Sequence, residues 1–362
     1  MSFVYAAKIM TNTINVIDVK TNYIIANIQS NLLPLDIKVI PNGQYVYVLT
    51  ASSVLTIDHK THQVVSNTRI INVGFDRFIQ VQFAITSDAQ FIYVINNVST
   101  VVSVIDTKTS AIIANIDVGS SPRSLTITPD DKYVYVVISQ APNVGDTVFV
   151  IDIKKNVVIA TVVVGHTPTN ILADPSGCYV YVIGTTSDPL PNTLPLLSVI
   201  DTKVHQVVST IQLSTTTNNL LAITSNGQYI YVANGDGVIT CIDAKKHDVS
   251  ASIMINVMSP GIAFSAIAVT PNNKQVYVAS RSNNSVIVMD TKTNTVTRSI
   301  DIGETPSSMA ITPDGRYVYV GTESSISPFD SSIYVIDLKT NAIKSTIFID
   351  RSMVNALAVV PF

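Results

Sequence analysis

The chain of 362 residues is 47% hydrophobic and 13% charged, with a formal net charge of −3 at pH 7. A nucleic-acid-binding protein shows a basic stripe, so this balance argues against a nucleic-acid partner. The longest apolar runs, such as residues 157–164, have the length of a strand and fall well short of the ~18 residues that a spanning helix needs. We therefore expect no membrane span.

The start of the chain leads directly into an apolar, strand-like run at residues 3–6, without the basic and apolar regions of a signal peptide. Localisation is left open: cytoplasmic as the chain is written, surface or secreted if a signal was removed. Two cysteines, Cys178 and Cys241, are too few for a disulfide framework, and we expect both to be reduced.

A repeat of roughly 45 residues, a period typical of solenoids, propellers and arrays, runs from one end of the chain to the other. Its first half is a run rich in tyrosine and valine, found eight times, at residues 3–5, 45–48, 91–94, 133–136, 179–182, 229–232, 276–278 and 317–320. Its second half closes on an aspartate that a lysine follows two residues later. The eight aspartates are Asp18, Asp58, Asp106, Asp152, Asp201, Asp243, Asp290 and Asp337.

Each repeat predicts four short strands, a to d, which one copy illustrates at residues 124–128, 133–137, 148–152 and 157–164. The runs are rich in Val, Ile and Tyr with little polar alternation, as in strands buried on both faces. Between a and b, Pro129-Asp130-Asp131 has the residues of a tight turn. Four-stranded sheets repeated at this period, with no helical pattern, predict an all-β protein with a β-propeller fold.

The strings at residues 133–136, 290–294 and 311–315 resemble the YVTN-type β-propeller repeats, which are related to bacterial surface-layer and YncE-like proteins. The resemblance extends over essentially the whole chain and implies a WD40-like propeller fold. It also implies binding or scaffolding, because that family has no shared catalytic motif. Most members of the family resemble seven-bladed rings, so seven blades is the alternative.

The two ends of the chain carry complementary parts of one repeat. Residues 3–6 form a b-type strand with no inner strand before it, and residues 354–361 form an inner strand that stops at its turn proline. We predict a single eight-bladed propeller domain over residues 1–362. Its C-terminal strand pairs with the three strands within residues 3–28, which removes exposed sheet edges.

The sequence contains few residues that could form a catalytic or metal site. We expect the turn aspartates to accept backbone N–H bonds in the c–d hairpins, and His59, His62, His205 and His247, in the same turns, to be surface residues. No nucleophile elbow, P-loop, dinucleotide or zinc-protease motif is present. The sequence predicts no catalytic residue, no metal site and no cofactor.

The most plausible ligand site combines polar residues at the mouth of the central channel with one histidine in a d–a connection. The set is Asp36, Lys38, Gln82, Arg123, His166, Asn170, Asn219 and Asn355. Longer b–c segments at residues 139–147, 185–196 and 322–332, with residues 72–79, lie on the same face and could wall a groove. The alternative is that the polar residues hold only water and fill the funnel.

The leading functional hypothesis is a non-enzymatic binding or scaffold propeller that presents a site for a protein, glycan or small molecule on the face with the d–a and b–c loops. The alternative is a lactonase- or lyase-like enzyme with its site at the channel mouth. A haem- or quinone-handling propeller is the weakest hypothesis, because no pair of histidines faces the channel.

Overall fold

The computed structural model describes residues 2–40, 43–70, 81–138, 146–186, 194–213, 220–256, 264–324, 330–350 and 352–360. These residues form 32 strands and no helix. The strands make eight four-stranded antiparallel sheets, each with the predicted strand order. The fold is the predicted all-β class with eight propeller blades, and the seven-bladed alternative is wrong. No helix within the described ranges is long and apolar enough to cross a membrane.

The chain divides into two compact units, residues 1–70 with 256–362, and residues 71–255. Each unit contains four of the sheets and is described by itself; the single domain over residues 1–362 stays a prediction.

The first unit contains blades 1, 2, 7 and 8, named in chain order. Blade 1 consists of β32 (Val354–Val360), β1 (Phe3–Lys8), β2 (Thr13–Asp18) and β3 (Ile24–Gln29). Blade 2 consists of β4 (Pro34–Val39), β5 (Tyr45–Thr50), β6 (Ser53–Asp58) and β7 (Gln63–Arg69). Blade 7 consists of β24 (Phe264–Val269), β25 (Gln275–Ser280), β26 (Ser285–Asp290) and β27 (Thr295–Asp301). Blade 8 consists of β28 (Thr305–Ile311), β29 (Tyr317–Glu323), β30 (Ser331–Asp337) and β31 (Ala342–Ile349).

The second unit contains blades 3 to 6. Blade 3 consists of β8 (Val81–Ile85), β9 (Phe91–Asn96), β10 (Val101–Asp106) and β11 (Ala111–Asp117). Blade 4 consists of β12 (Pro122–Ile127), β13 (Tyr133–Ile138), β14 (Thr147–Asp152) and β15 (Val157–Val163). Blade 5 consists of β16 (His166–Ala173), β17 (Tyr179–Thr185), β18 (Pro195–Asp201) and β19 (Gln206–Gln212). Blade 6 consists of β20 (Leu220–Ile223), β21 (Tyr229–Ala233), β22 (Val238–Asp243) and β23 (Asp248–Met254).

Blade 1 joins the two ends of the chain, as predicted. Strand β32 pairs antiparallel with β1, so that Tyr5 lies opposite Ala358 and Phe3 opposite Val360. Tyr5 and Val360 belong to an apolar cluster that continues into blade 2. The inner strands β24, β28, β32 and β4 are successive neighbours within this unit.

Burial differs between the central and the outer strands of a blade. In β13, five of the six residues are buried, and in β6 likewise five of six, because both faces of these strands pack against sheets. In β15 only Val162 is buried. Outer strand d is therefore an edge strand with one open side.

Every outer strand carries a β-bulge opposite the end of strand c. The register shifts in β3, β7, β11, β15, β19, β23, β27 and β31. A bulge bends the strand and interrupts the row of free backbone groups, which protects an edge from pairing with another chain. The fold thereby protects outer strands whose exposed side chains include Ile25, Val65 and Ile159.

The c–d turns have the predicted chemistry in all eight blades. Each turn aspartate accepts a hydrogen bond from the backbone N–H two or three residues later. These bonds hold the pKa of Asp58, Asp106 and Asp290 below the usual range. The fourth residue after each aspartate has a positive φ and is Asn, His or Ser, residue types that include those most tolerant of this conformation.

A buried tyrosine of one blade bonds to this positive-φ residue of the next blade. Tyr319 Oη donates to Asn22 Oδ1 at 2.8 Å, and Tyr93 Oη donates to Asn156 Oδ1 at 2.7 Å. Tyr277 makes the equivalent bond to Asn341. We call this contact the tyrosine latch; it ties the c–d turn of one sheet to strand b of its neighbour.

Histidine replaces asparagine in two of these latches. Tyr5 Oη lies 2.9 Å from His62 Nδ1, and Tyr135 Oη lies 2.7 Å from His205 Nδ1. Burial raises the pKa of Tyr5 and Tyr135, so both phenols stay protonated and donate to a neutral imidazole. The expectation of simple surface histidines is wrong here: both rings are half-buried, and Phe3 packs edge-on against His62 at 4.8 Å.

These latches predict a loss of stability on mild acidification. Burial lowers the pKa of His62 and of His205 below 6.5, although Asp58 and Asp201 respectively oppose the shift. The unfolded chain therefore binds more protons just below pH 6.5, and the free energy of unfolding falls as the pH drops from 6.5 to the folded-state pKa values. Urea unfolding at pH 7.5 and 5.5 should show this decrease.

The repeat offers matched variants for this test. The double variant His62→Asn with His205→Asn should lose less stability between pH 7.5 and 5.5, whereas Asn156→His should lose more, because it places a histidine in a third latch. The same decrease in all three proteins would contradict the assignment of the pH effect to the latches.

Candidate functional site

A polar cluster lies on the loop face of blades 7 and 8, the end of these sheets that carries the b–c and d–a connections. It contains both glutamates of the sequence, Glu304 and Glu323, together with Arg281. Arg281 lies in the b–c turn of blade 7, Glu304 in the connection from β27 to β28, and Glu323 at the end of β29. The d–a and b–c connections thus bring side chains from three segments together.

Glu304 accepts hydrogen bonds from three hydroxyl groups of its own blade. Its Oε2 lies 2.5 Å from Thr322 Oγ1, and its Oε1 lies 2.9 Å from Ser332 Oγ and 3.1 Å from Tyr334 Oη. Thr322 and Ser332 are buried. Burial, with Glu304 nearby, raises the pKa of Tyr334 to about 12, so the phenol remains a donor. The carboxylate is consequently fixed in one orientation.

Glu323 forms an ion pair with Arg281 of the neighbouring blade through its Oε1. The two side chains are 19% and 30% exposed, so solvent screens the pair only in part. Around it, Thr305 Oγ1 donates to Asn284 Oδ1 at 3.1 Å, and Asn283 Nδ2 donates to the Asn256 carbonyl at 2.8 Å. The pair therefore sits in a rim of amide and hydroxyl groups that reaches the solvent.

The formal charge of the cluster is −1, from two glutamates and one arginine. Across the described ranges, no group of three or more His, Cys, Asp or Glu side chains could hold a metal ion. The cluster can therefore accept hydrogen bonds from hydroxyl groups, and Arg281 can donate them.

In the first unit, the predicted channel-mouth residues Asp36 and Lys38 lie side by side on β4, with Lys38 Nζ 3.9 Å from Asp36 Oδ2. Burial raises the pKa of Asp36, against the opposing effects of Lys38 and of the Ile37 N–H. Asn355 Nδ2 donates to the Leu35 carbonyl at 2.7 Å, next to Asp36.

The Asn355 bond is one of a series between neighbouring inner strands. Ser265 Oγ donates to the Pro306 carbonyl at 2.8 Å, and Ser307 Oγ donates to the Val354 carbonyl at 2.5 Å. These hydrogen bonds link neighbouring inner strands through side chains at the aligned polar positions. A ligand role for Asp36, Lys38 and Asn355 stays a prediction.

In the second unit, Gln82, Arg123 and Asn170 lie on β8, β12 and β16, which are neighbouring inner strands. Arg123 is exposed, and Asn170 Oδ1 accepts the N–H of Ile171. The predicted residue Asn219 lies outside the described residues, as do residues 72–79 and, within the three long b–c segments, residues 139–145, 187–193 and 325–329. The ligand role of this group is likewise a prediction.

His166 begins β16 beside a strained residue, Thr167, whose φ is 44°. A β-branched residue is a genuine outlier in this region. The buried Asp146 accepts the N–H of Thr167, and Thr185 Oγ1 donates to the His166 carbonyl at 3.1 Å. A Cβ on Gly184 would lie 2.8 Å from that carbonyl, so the tight packing requires glycine there.

One signal for the cluster around Glu304 is visible in the sequence: of its two glutamates, Glu323 lies within the long segment at residues 322–332. The bond between Glu323 and Arg281, which hold the same position in neighbouring repeats, depends on the packing of blades 7 and 8 and was not predicted. Cys178 and Cys241 are free thiols, consistent with the expectation that both are reduced.

Comparison with known proteins supports the β-propeller fold, and one family model matches part of the chain. The model of the family described as Lactonase, 7-bladed beta-propeller, matches residues 251–348, the segment that contains the cluster. No curated protein matches the chain. The YVTN-type resemblance stays an interpretation of the repeats.

Two solved structures share the fold. One, described as Dihydro-heme d1 dehydrogenase NirN in complex with DHE, aligns with a TM-score of 0.75 and 15% identity over 98% of this chain and 74% of that chain. The other, the Kuenenia stuttgartiensis hydrazine synthase, aligns with a TM-score of 0.64 and 20% identity over 88% of this chain and 95% of that chain. At these identities the likeness concerns the fold alone.

Proposed function

We propose that this protein binds a neutral, polyhydroxylated small molecule, such as a sugar, at the cluster of Arg281, Glu304 and Glu323. The observation that supports the proposal most directly is the ion pair of Glu323 with Arg281 on the loop face of blades 7 and 8, where Glu304 bonds to Thr322, the residue before Glu323.

The chemistry of the cluster favours hydroxyl groups as ligands. Glu323 uses Oε1 for Arg281, which leaves Oε2 to accept a hydrogen bond from a ligand hydroxyl, while Arg281 can donate to a ligand oxygen. A hydroxyl group both donates and accepts, so it can bond to either member of the ion pair. The net charge of −1 on the cluster disfavours the binding of ligands with carboxylate or phosphate groups. Glu304, which already accepts hydrogen bonds from three hydroxyl groups, holds the connection between the blades beside the ion pair.

Titration calorimetry with a panel of neutral monosaccharides and polyols tests the proposal, with glucuronate as the anionic counterpart. Glu323→Gln should weaken binding about tenfold, equivalent to ~1.4 kcal/mol, because it removes a charge-assisted hydrogen bond. Asp301→Asn is the matched control, since this exposed carboxylate bonds only to the N–H of Gly303; it should leave binding unchanged. No binding by any sugar, or equal affinity in Glu323→Gln, would refute the proposal.

A second candidate is hydrolysis of a polyhydroxylated lactone, which the family match over residues 251–348 favours. Glu323 would accept a proton from the attacking water, Arg281 would stabilise the carbonyl oxygen, and the ring C–O bond would break to give the hydroxy acid. Release of acid from gluconolactone, measured above the spontaneous rate, tests this activity. Binding without turnover would leave the non-enzymatic function; turnover unaffected by Glu323→Gln would exclude this site for the reaction.

A further inference from the structure

A cavity of about 380 Å³ opens between blades 8 and 1 at the opposite end of the sheets from the loop face. Its lining includes Asp314, Arg316 and Tyr317 from the a–b turn and strand b of blade 8, and Asp18, Val19 and Lys20 from the c–d turn of blade 1. This volume lies within the range of small-molecule sites. The cavity is separate from the cluster around Glu304, which lies at the other end of these strands.

Two cationic groups at this cavity retain hydrogen-bonding capacity. Within the described part of the chain, the Lys20 ammonium group has no polar partner, and the Arg316 side chain bonds only to Asp314, with Nε 2.7 Å from Oδ2. The two carboxylates are already engaged: Asp18 accepts the N–H groups of Lys20 and Thr21, and Asp314 accepts from Thr312 Oγ1 and the Arg316 N–H.

The walls between these charges are apolar. In blades 3, 5 and 7 the residue after the turn aspartate is a threonine whose hydroxyl bonds to the a–b turn of its own blade. Blade 1 has Val19 at this position. The Tyr317 ring is held from one side by Lys344, whose Nζ lies 4.2 Å from the ring centroid. This lysine adds a further positive charge near the cavity.

We propose that this cavity binds a small monocarboxylate with an apolar or aromatic body. The carboxylate bonds to Arg316 and Lys20, and the body packs against Val19 and the Tyr317 ring. Apolar walls with two available cations favour such a ligand over a sugar, which would leave its hydroxyl groups unpaired, and over a cationic molecule, which Lys20, Arg316 and Lys344 would repel.

Titration of the full chain with benzoate and with its neutral isostere benzamide, followed by NMR and calorimetry, tests this site. Benzoate should bind about tenfold more tightly than benzamide, because only benzoate accepts charge-assisted bonds from both cations. Arg316→Gln and Lys20→Gln should each weaken benzoate binding about fivefold or more and leave benzamide binding unchanged.

The repeat supplies matched controls at the equivalent turn positions of blades 4 and 5. Lys132 pairs with Asp130 as Arg316 pairs with Asp314, and Lys203 follows Asp201 as Lys20 follows Asp18. Lys132→Gln and Lys203→Gln should leave benzoate affinity unchanged. Equal affinities for benzoate and benzamide, no benzoate binding, or equal losses in the control variants would each overturn the proposal. Sugar binding at the other end of blades 7 and 8 should persist in Arg316→Gln, so the two sites can fail independently.

Discussion

Tyr319→Ala is expected to lower the free energy of unfolding by about 3–5 kcal/mol, because it removes a large aromatic side chain from a close-packed interior. Tyr319 is fully buried and belongs to the apolar cluster that blades 8 and 1 share. Blade 1 contains strands from both ends of the chain, so the cavity would weaken the packing of the closing sheet. Urea unfolding followed by circular dichroism measures the loss. Tyr23→Ala is the control, since that side chain is 74% exposed and should change stability by less than ~0.5 kcal/mol.

The hydrogen bond of the latch can be separated from the packing of the ring. Tyr319→Phe keeps the ring and removes the donor to Asn22 Oδ1, and should cost about 1 kcal/mol. Asn22→Gly retains the positive φ of 58° and removes the acceptor. In a double-mutant cycle the two changes should couple by roughly 1 kcal/mol. Strictly additive losses would mean that the latch bond does not stabilise the contact between the blades.

Much of the fold could be predicted from the sequence, because the same local signals recur in all eight repeats. Aspartate and lysine two residues apart predicted the c–d turns, and tyrosine–valine runs predicted strands buried on both faces. Strand b at the start of the chain and strand a at its end predicted the pairing of the two terminal strands, which the structure shows with Phe3 opposite Val360. Each of these signals is local or concerns one pair of complementary strands.

The tyrosine latch was not predicted, although its tyrosines and histidines stand out in the repeats. The histidines of the c–d turns were expected at the surface because nothing in their own turn engages them. The partner of His62 is Tyr5, 57 residues earlier in the neighbouring blade. The bulges were equally hidden, because a bulge is a two-to-one pairing of residues across strands and leaves no mark on the hydrophobic pattern.

The hydrogen bonds and ion pair of the candidate sites could not be predicted from the repeats either. Aligning the repeats placed Asn355 among the predicted channel-mouth residues, but the alignment could not show that its amide bonds to the Leu35 carbonyl. Conversely, Arg281 and Glu323 occupy the same position at the end of strand b in neighbouring repeats, whereas Glu304 lies in the connection before strand a. Blades 7 and 8 are adjacent, so this shared position brings Arg281 and Glu323 close together, but only the structure shows that they form an ion pair.

Gly321→Ala is expected to destabilise the protein by about 1–3 kcal/mol through overpacking. The other seven blades carry a side chain at this position of strand b, for example Ala279 in blade 7 and Ala7 in blade 1. Replacing a strand glycine by alanine normally stabilises by ~0.4–1 kcal/mol, because it restricts the unfolded chain. In blade 8, however, a Cβ on residue 321 would lie 2.5 Å from Val354 Cγ1 and 2.7 Å from Ser308 Oγ.

Val354 cannot easily yield, because it is fully buried at the start of β32 and its carbonyl accepts hydrogen bonds from both Ser307 and Ser308. Val354→Ala should relieve part of the collision, since it removes Cγ1 but keeps the Cβ, which would lie 2.8 Å away. The double variant should therefore be more stable than the sum of the two single losses by about 1 kcal/mol. Ala279→Gly, the reverse change in blade 7, should be destabilising by about 1 kcal/mol, since its small side chain is already accommodated. A Gly321→Ala variant as stable as the parent protein would show that the inner strand of blade 1 does not pack this closely against blade 8.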